Sequence, residues 1–234
     1  MHTRWSDGAG TISEMAEAAQ ARGYQYIAIT DHSKGLKIAG GIDEQELTQQ
    51  AKEIIQINRD FKRERREFRV LRSVELNLSP RGEADLDNPA LKRLDLVLGS
   101  FHSSLREKED QTSRYLAALE NPMLHILGHP RGRIYNHRLG LSADWARVFA
   151  NAAKLDKAVE IDAYPDRQDL NVGLLLLAKR EGVRIAIDTD AHAPEQLSFV
   201  DLGLAAALQA RIPEERILNF MPAKALLAWA HCLK

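Results

Sequence analysis

Several apolar runs of this 234-residue chain break off in residues that bind metal or move protons. Val183-Arg184-Ile185-Ala186-Ile187 runs into Asp188, Asp190 and His192, and Tyr26-Ile27-Ala28-Ile29-Thr30 into Asp31 and His32. Val70 to Val74 runs into Glu75, Leu96 to Phe101 into His102, and Leu124 to Gly128 into His129. With His2, five of the eight histidines stand at such an end or just after it. A lone imidazole is more often a hydrogen-bonded structural group, and His125 inside an apolar run and His231 near the C-terminus read that way. Five at strand ends call for a common cause.

Imidazoles mixed with the carboxylates of Asp7, Glu75 and Asp190, and no thiolate, suit Zn, Mn or Fe, whereas an all-oxygen set would suit Mg or Ca. Eight such donors exceed what one tetrahedral ion takes. The set therefore implies a cluster of two or three ions, with a carboxylate such as Glu75 bridging two. Closely spaced divalent ions make hydroxide from a bridging water at neutral pH and clamp the oxygens of an in-line displacement. Phosphate esters are the natural substrates of that chemistry.

The elements that position these residues alternate regularly. Thr11 with Glu14, and Asp43 ahead of Leu47, Ala51, Ile54, Ile55 and Ile57, mark helix starts. Strands are expected over 24–30, 68–76, 95–100, 123–128, 158–162 and 183–187. Helices are expected over 107–120, 143–155, 169–180, 199–211 and 222–233. Such alternation implies right-handed βαβ units and a parallel sheet, whose strand ends gather at one mouth. A strand truncated at the N-terminus, just ahead of His2, brings the expected number to seven. The expected fold is thus α/β, a distorted seven-stranded (βα) TIM-like barrel formed by one domain over residues 1–234.

Bulk composition adds limits. A formal net charge of -1 with 28% charged residues advertises no broad electrostatic grip on nucleic acid. The single cysteine, Cys232, suits a reducing compartment. The opening residues lack the apolar core of a secretory signal and no apolar run is long enough for a bilayer, so the expected location is cytoplasmic, with no membrane partner.

Taken in order, His2 with Ser6-Asp7-Gly8, Thr30-Asp31-His32-Ser33, Glu75, Phe101-His102, Gly128-His129-Pro130 and Asp190-Ala191-His192 resemble the PHP (polymerase and histidinol phosphatase) family of metal-dependent phosphoesterases. The segments Gly128 to Arg133 and Val159 to Leu170 are most similar to the PHP domain of bacterial and archaeal family X DNA polymerases.

The resemblance implies three divalent ions at the C-terminal mouth of the barrel. His2, Glu75 and Asp190 would hold one, Glu75, His102 and His129 a second, and Asp7, His32 and His192 a third. It departs at the start: the family opens on His-x-His, and Met1 occupies the x, so the first histidine lies upstream or the first ion is weakly held.

His102, His129, Asp190 and Arg133 are expected to act on the reacting phosphate. Lys34, Arg133 and Arg167, each after a strand end, are expected to receive phosphate oxygens. Asp31 is placed to orient a ligand, and Glu160 and Asp162 match no ligand position.

The implied activity is phosphoester hydrolysis by a metal-bridging hydroxide at a trinuclear site, on a DNA 3′ end in the context of repair. An upstream polymerase-type domain, absent from this chain, is the implied partner. The alternatives are a small phosphomonoester of histidinol phosphate type, a non-catalytic PHP module, and an amidohydrolase-like metal hydrolase.

Overall fold

Capping chemistry begins the first two helices where the sequence marks them. The computed structural model describes residues 1–233. The Thr11 hydroxyl accepts from the Glu14 N–H at 3.2 Å while the Glu14 carboxylate accepts from the Thr11 N–H at 2.7 Å, closing a capping box on α1 (Ile12–Ala21). Asp43 and Glu46 do the same for α2 (Glu44–Arg63), whose buried face is Leu47, Gln50, Ile54, Ile57 and Phe61. Those spacings of three and four define one helical face. Ile55 falls off that face and is 39% exposed.

The strands are short and all parallel. β1 (Tyr26–Ile29) pairs with β2 (Arg69–Arg72), while β3 (Glu75–Leu78), β4 (Leu98–Phe101), β5 (Ile126–Leu127), β6 (Ala158–Asp162) and β7 (Arg184–Asp188) form a five-stranded sheet in that order. Helices α3 (Asn88–Leu91), α4 (Thr112–Glu120), α5 (Trp145–Lys154), α6 (Val172–Glu181), α7 (Val200–Ala210) and α8 (Ala223–Cys232) complete the described elements.

Beyond shifts of a few residues at element ends, three differences from the sequence expectation bear on the site. The strand expected over 68–76 is interrupted at Ser73 and Val74, giving β2 and β3. The register is kept across the break, because His32 lies opposite Glu75 and the Glu75 N–H donates to Asp31 O at 3.1 Å. Residues 1–3 form no strand. They lie between the ends of β1 and β7: Met1 O accepts from the Thr30 N–H at 2.9 Å and the His2 N–H donates to Ala191 O at 2.8 Å. The helix expected from Glu107 starts at Thr112, whose N–H donates to Asp110 Oδ1 at 3.0 Å, so residues 102–111 are a loop.

Alternation along the strands sends side chains to three apolar regions, one of them formed by Ile27, Ile29 and Val70 with Ile12, Met15 and Ile54 of α1 and α2. In the second, Leu76, Val159, Ile161, Ile185 and Ile187 pack with Tyr115, Leu119, Phe149 and Leu175 of the surrounding helices. In the third, Leu71, Leu98, Ile126, Ala158 and Ala186 meet Leu226, Trp229 and Ala230 of α8. Helix α8 sits by the strands' N-terminal ends, where Trp229 Nε1 donates to Asp156 O at 2.9 Å just ahead of β6. His125 is a core residue there, fixed by the Val97 N–H and Ala230 O at 3.0 Å each. That leaves the C-terminal ends free for chemistry. No helix among the described residues is long and apolar enough to cross a membrane.

Candidate metal centre

All eight expected donor residues lie at that C-terminal end. His32 follows β1, Glu75 follows β2 across the break and is the first residue of β3, His102 follows β4, His129 follows β5, and Asp190 and His192 follow β7, with His2 and Asp7 brought in by the N-terminal loop. Glu75 is the hub, only 2% exposed. Its Oε1 lies 2.9 Å from His129 Nε2 and 3.3 Å from His102 Nε2; its Oε2 lies 3.3 Å from His2 Nε2 and 3.4 Å from His32 Nδ1. One carboxylate thus touches four imidazoles.

Donor atoms within 4.8 Å of one another fall into three overlapping groups: His2, Asp7, His32 and His192; His32, Glu75 and His102; and His2, Glu75 and Asp190. His129 joins through Glu75. The rings of His32 and His192 stack on His2 at centroid separations of 4.3 and 4.4 Å.

Electrostatics divide the group sharply. Burial pushes His32 down to about 4, so its imidazole is neutral. Burial also opposes charge on His2, yet hydrogen bonds to Asp190 and Glu75 prevail and carry it up to about 9. Against the same burial, His32 and the imidazole hydrogen bonds hold the Glu75 carboxyl well below its ordinary range, and His2 holds Asp190 down. Burial and mutual repulsion raise Glu160, Asp162 and Asp188 instead.

The donor set fits divalent ions. His2 Nδ1, His32 Nδ1 and His129 Nδ1 are buried without a hydrogen-bond partner. Each such orphan costs about 1–3 kcal/mol, and at His32, whose neutral ring turns Nδ1 toward Glu75 Oε2, a bound cation would offset it. The mixture of imidazole nitrogen and carboxylate oxygen without sulfur suits Zn, Mn or Fe.

Supporting contacts aim these donors. Asp190 adopts φ 48°, a left-handed conformation in which its carbonyl meets His192 Nδ1 at 2.7 Å, turning Nε2 toward Asp7 at 3.4 Å. Asn77 Oδ1 contacts His102 Nδ1 at 3.1 Å, directing Nε2 toward Glu75. The Glu160 carboxylate accepts from the His129 backbone N–H.

Asp31 bonds no imidazole. It accepts from the Thr3 N–H at 2.7 Å, the Thr3 hydroxyl and the Ser6 hydroxyl at 2.6 Å each, and the Gln50 amide at 2.7 Å. It therefore braces the loop that carries His2 and Asp7. Gly8 lets that loop fold tightly, since a Cβ there would lie 2.5 Å from His2 C and O.

The expected phosphate-binding residues are placed differently from one another. Arg167 reaches the centre, with Nε 3.2 Å from Asp190 Oδ2 and 3.4 Å from Asp162 Oδ2. Arg133 donates from Nε to Arg167 O at 2.8 Å and lines the adjoining cavity. Lys34 is 43% exposed and pairs with Glu44 at 2.6 Å, outside the donor groups. Sequence reading missed Asn77 and Gln50. Asn77 had a signal, because period-two alternation puts it on the same face as Glu75.

A family model described as the PHP domain matches residues 1–164. The chain is 41% identical over 220 residues to the DNA polymerase/3′-5′ exonuclease PolX of Bacillus subtilis, a match covering 94% of this chain and 38% of that protein. It is 30% identical over 221 residues to a probable phosphatase of Thermoanaerobacter sp., covering 89% of this chain and 83% of that one. Among solved structures, histidinol phosphate phosphatase from Lactococcus lactis, complexed with zinc, L-histidinol and phosphate, shares the fold at a TM-score of 0.65. That match has 19% identity and covers 91% of this chain and 92% of the other.

Proposed function

Because the chain belongs to the PHP domain family, we propose that it is a metal-dependent phosphoesterase whose donors hold three divalent ions and whose substrate is a DNA 3′ end. The observation that carries this reading is the Glu75 hub, a buried carboxylate whose two oxygens each face two imidazoles. A terminal ligand needs no such symmetry, and a bridging one does. His2, Glu75 and Asp190 would hold one ion, Glu75, His102 and His129 a second, and Asp7, His32 and His192 a third. When bound, divalent ions make water nucleophilic at neutral pH and neutralise the phosphoryl oxygens.

The protein's own residues supply the rest. Arg167 is anchored beside Asp190 and presents a guanidinium to the substrate phosphate, where a planar fork suits two oxygens. Arg133, tied to the Arg167 carbonyl, extends the positive surface outward. The N-terminal loop, clamped by Asp31, closes one side of the centre and keeps His2 buried.

The frame is a distorted seven-stranded barrel in one domain. Backbone bonds from Met1 to Thr30 and from His2 to Ala191 support the closure. The PolX relative, 41% identical, favours the DNA 3′ end as substrate. The second reading, a small phosphomonoester, is favoured by the probable phosphatase, which this chain spans over 83% of its length.

The test is hydrolysis of 3′-labelled oligonucleotides and p-nitrophenyl phosphate with added Zn or Mn, for the wild type and His102→Ala. Loss of roughly a hundredfold or more in the variant is expected, as for removal of a direct ligand or its support. Full metal-dependent activity in His102→Ala would refute the site. Cleavage of cyclic amides with indifference to phosphate esters would refute the reaction class.

A further inference from the structure

The loops after β4 and β5, facing the segment after β6 and helix α7, border an open cavity of about 1000 Å³ whose basic lining is Arg106, Lys108, Arg131, Arg133, His137 and Arg138. Asp162, at the end of β6, lines it too, and Arg167 connects Asp162 with Asp190, so the cavity adjoins the donor cluster. None of the four guanidinium groups forms an ion pair with a carboxylate among the described residues, although the backbone N–H of Arg131 donates to Asp169 Oδ2 at 2.8 Å and the buried Asp169 lies behind Arg131 and Arg138. The guanidinium donors point to a histidine ring and to backbone carbonyls instead. Arg106 Nη2 meets His137 Nε2 at 3.0 Å, Arg131 Nη2 donates to Leu139 O at 2.7 Å, Arg133 Nε to Arg167 O at 2.8 Å, and Arg138 Nε to Gly132 O.

A guanidinium has five donors, so most of this capacity is unused. Glu107 also borders the cavity but is exposed and pairs with none of these cations. Five cations border the cavity against Glu107 and Asp162, with the buried Asp169 behind Arg131 and Arg138, and this excess of positive charge favours an anion from outside. The chain as a whole carries -1, so the positive charge is a local feature of this cavity.

Size narrows the anion. Pockets for small ligands run from about 300 to 1000 Å³, and this one reaches the upper end without counting the donor cluster beside it. One phosphoryl group needs one or two arginines. Four arginines and a lysine on two loops match successive phosphates of a chain. Tyr135, on the same loop and 65% exposed, offers a ring on which a base can stack.

We propose that this cavity is a strand subsite: it holds the phosphates of a single-stranded nucleic acid next to the one reacting at the donor cluster. The subsite gives a phosphodiester chain its advantage over a small phosphomonoester. The inference rests on the phosphoesterase reading above and adds the residues that set its specificity.

The experiment compares the full chain with Arg106→Gln/Lys108→Gln and with Arg106→Lys. Both altered side chains are exposed, so folding is not at stake. Arg138→Gln, from the opposite loop, is a second variant. Binding of fluorescein-labelled (dT)12 is read by anisotropy in EDTA at several salt concentrations. KM and kcat are then read with metal for (dT)12 and p-nitrophenyl phosphate.

Binding by the double variant is expected to weaken roughly tenfold, and the slope of log affinity against log salt to fall by about 0.7 per lost phosphate contact. Arg106→Lys is expected to keep most of the affinity. The ratio of the (dT)12 KM to the p-nitrophenyl phosphate KM rises by a similar factor, with kcat for (dT)12 held. No binding of (dT)12 by the wild type, unaltered binding in every variant, or equal loss on both substrates overturns the subsite. Binding that depends on these cations in a protein that hydrolyses neither substrate would sink the phosphoesterase reading alone.

Discussion

His2 Nε2 lies 3.0 Å from Asp190 Oδ1, joining residues 188 positions apart, and the same nitrogen lies 3.3 Å from Glu75 Oε2. Two carboxylates facing one buried imidazole carry its pKa up to about 9, so without metal it is charged at neutral pH. A cation bound at that nitrogen must expel the proton. Zn titrated into metal-free protein at pH 7.5 is therefore expected to release protons, with affinity rising up to about pH 9 and levelling above it. His32, held at about 4, releases none there.

The same group predicts how the metal-free fold responds to pH. Its pKa is higher folded than unfolded, so its stabilisation is full below about 6.5 and is lost as pH rises through about 9. The loss is of order 3 kcal/mol. Thermal unfolding in EDTA from pH 6 to 9.5 should show a falling Tm attributable to His2. A His2→Gln protein with the same fall would disprove the link.

Hub and rim donors should differ in stoichiometry. Glu75 faces four imidazoles, whereas Asp7 is 34% exposed and faces His2, His32 and His192 from 3.4 to 4.0 Å. Glu75→Gln is expected to lower the bound metal, counted by mass spectrometry, by two ions or more. Asp7→Asn is expected to lower it by one. Equal losses would remove the bridging role from Glu75.

The donors were legible in sequence because a buried strand has few reasons to end in His or Asp, and parallel strands end together. Their supports were less so. Gln50 lies on an amphipathic face where composition predicts an apolar residue, and only tertiary contact shows it bonding Asp31. Asp31 stands in sequence where it could orient a ligand, yet its carboxylate turns to Thr3 and Ser6, a long-range pairing that spacing does not reveal. The break at Ser73 and Val74 carries no glycine or proline to announce it.

Gly8 offers a steric test of the N-terminal loop. A Cβ at this position would sit 2.5 Å from the His2 carbonyl carbon and oxygen, which are backbone and cannot swing aside. Gly8→Ala is expected to cost about 1–3 kcal/mol of stability and to displace His2 from Asp190. Metal affinity at the His2 group should fall while the circular dichroism spectrum is kept. An alanine variant with wild-type metal content and Tm would show that the loop has room the geometry denies it.

Asn77 separates support from ligation. It touches His102 Nδ1 at 3.1 Å and belongs to none of the donor groups, so its removal takes away no ligand. What it takes away is the constraint that aims Nε2 at Glu75 and favours one tautomer. Asn77→Ala should therefore keep the number of bound ions at saturating metal while weakening affinity by about 10- to 100-fold, the usual effect of losing such a partner. Asn77→Asp should restore affinity, because a carboxylate accepts the same hydrogen bond and raises the basicity of the ring. If both variants bind metal as tightly as the wild type, the orientation of His102 is set by packing and not by this contact.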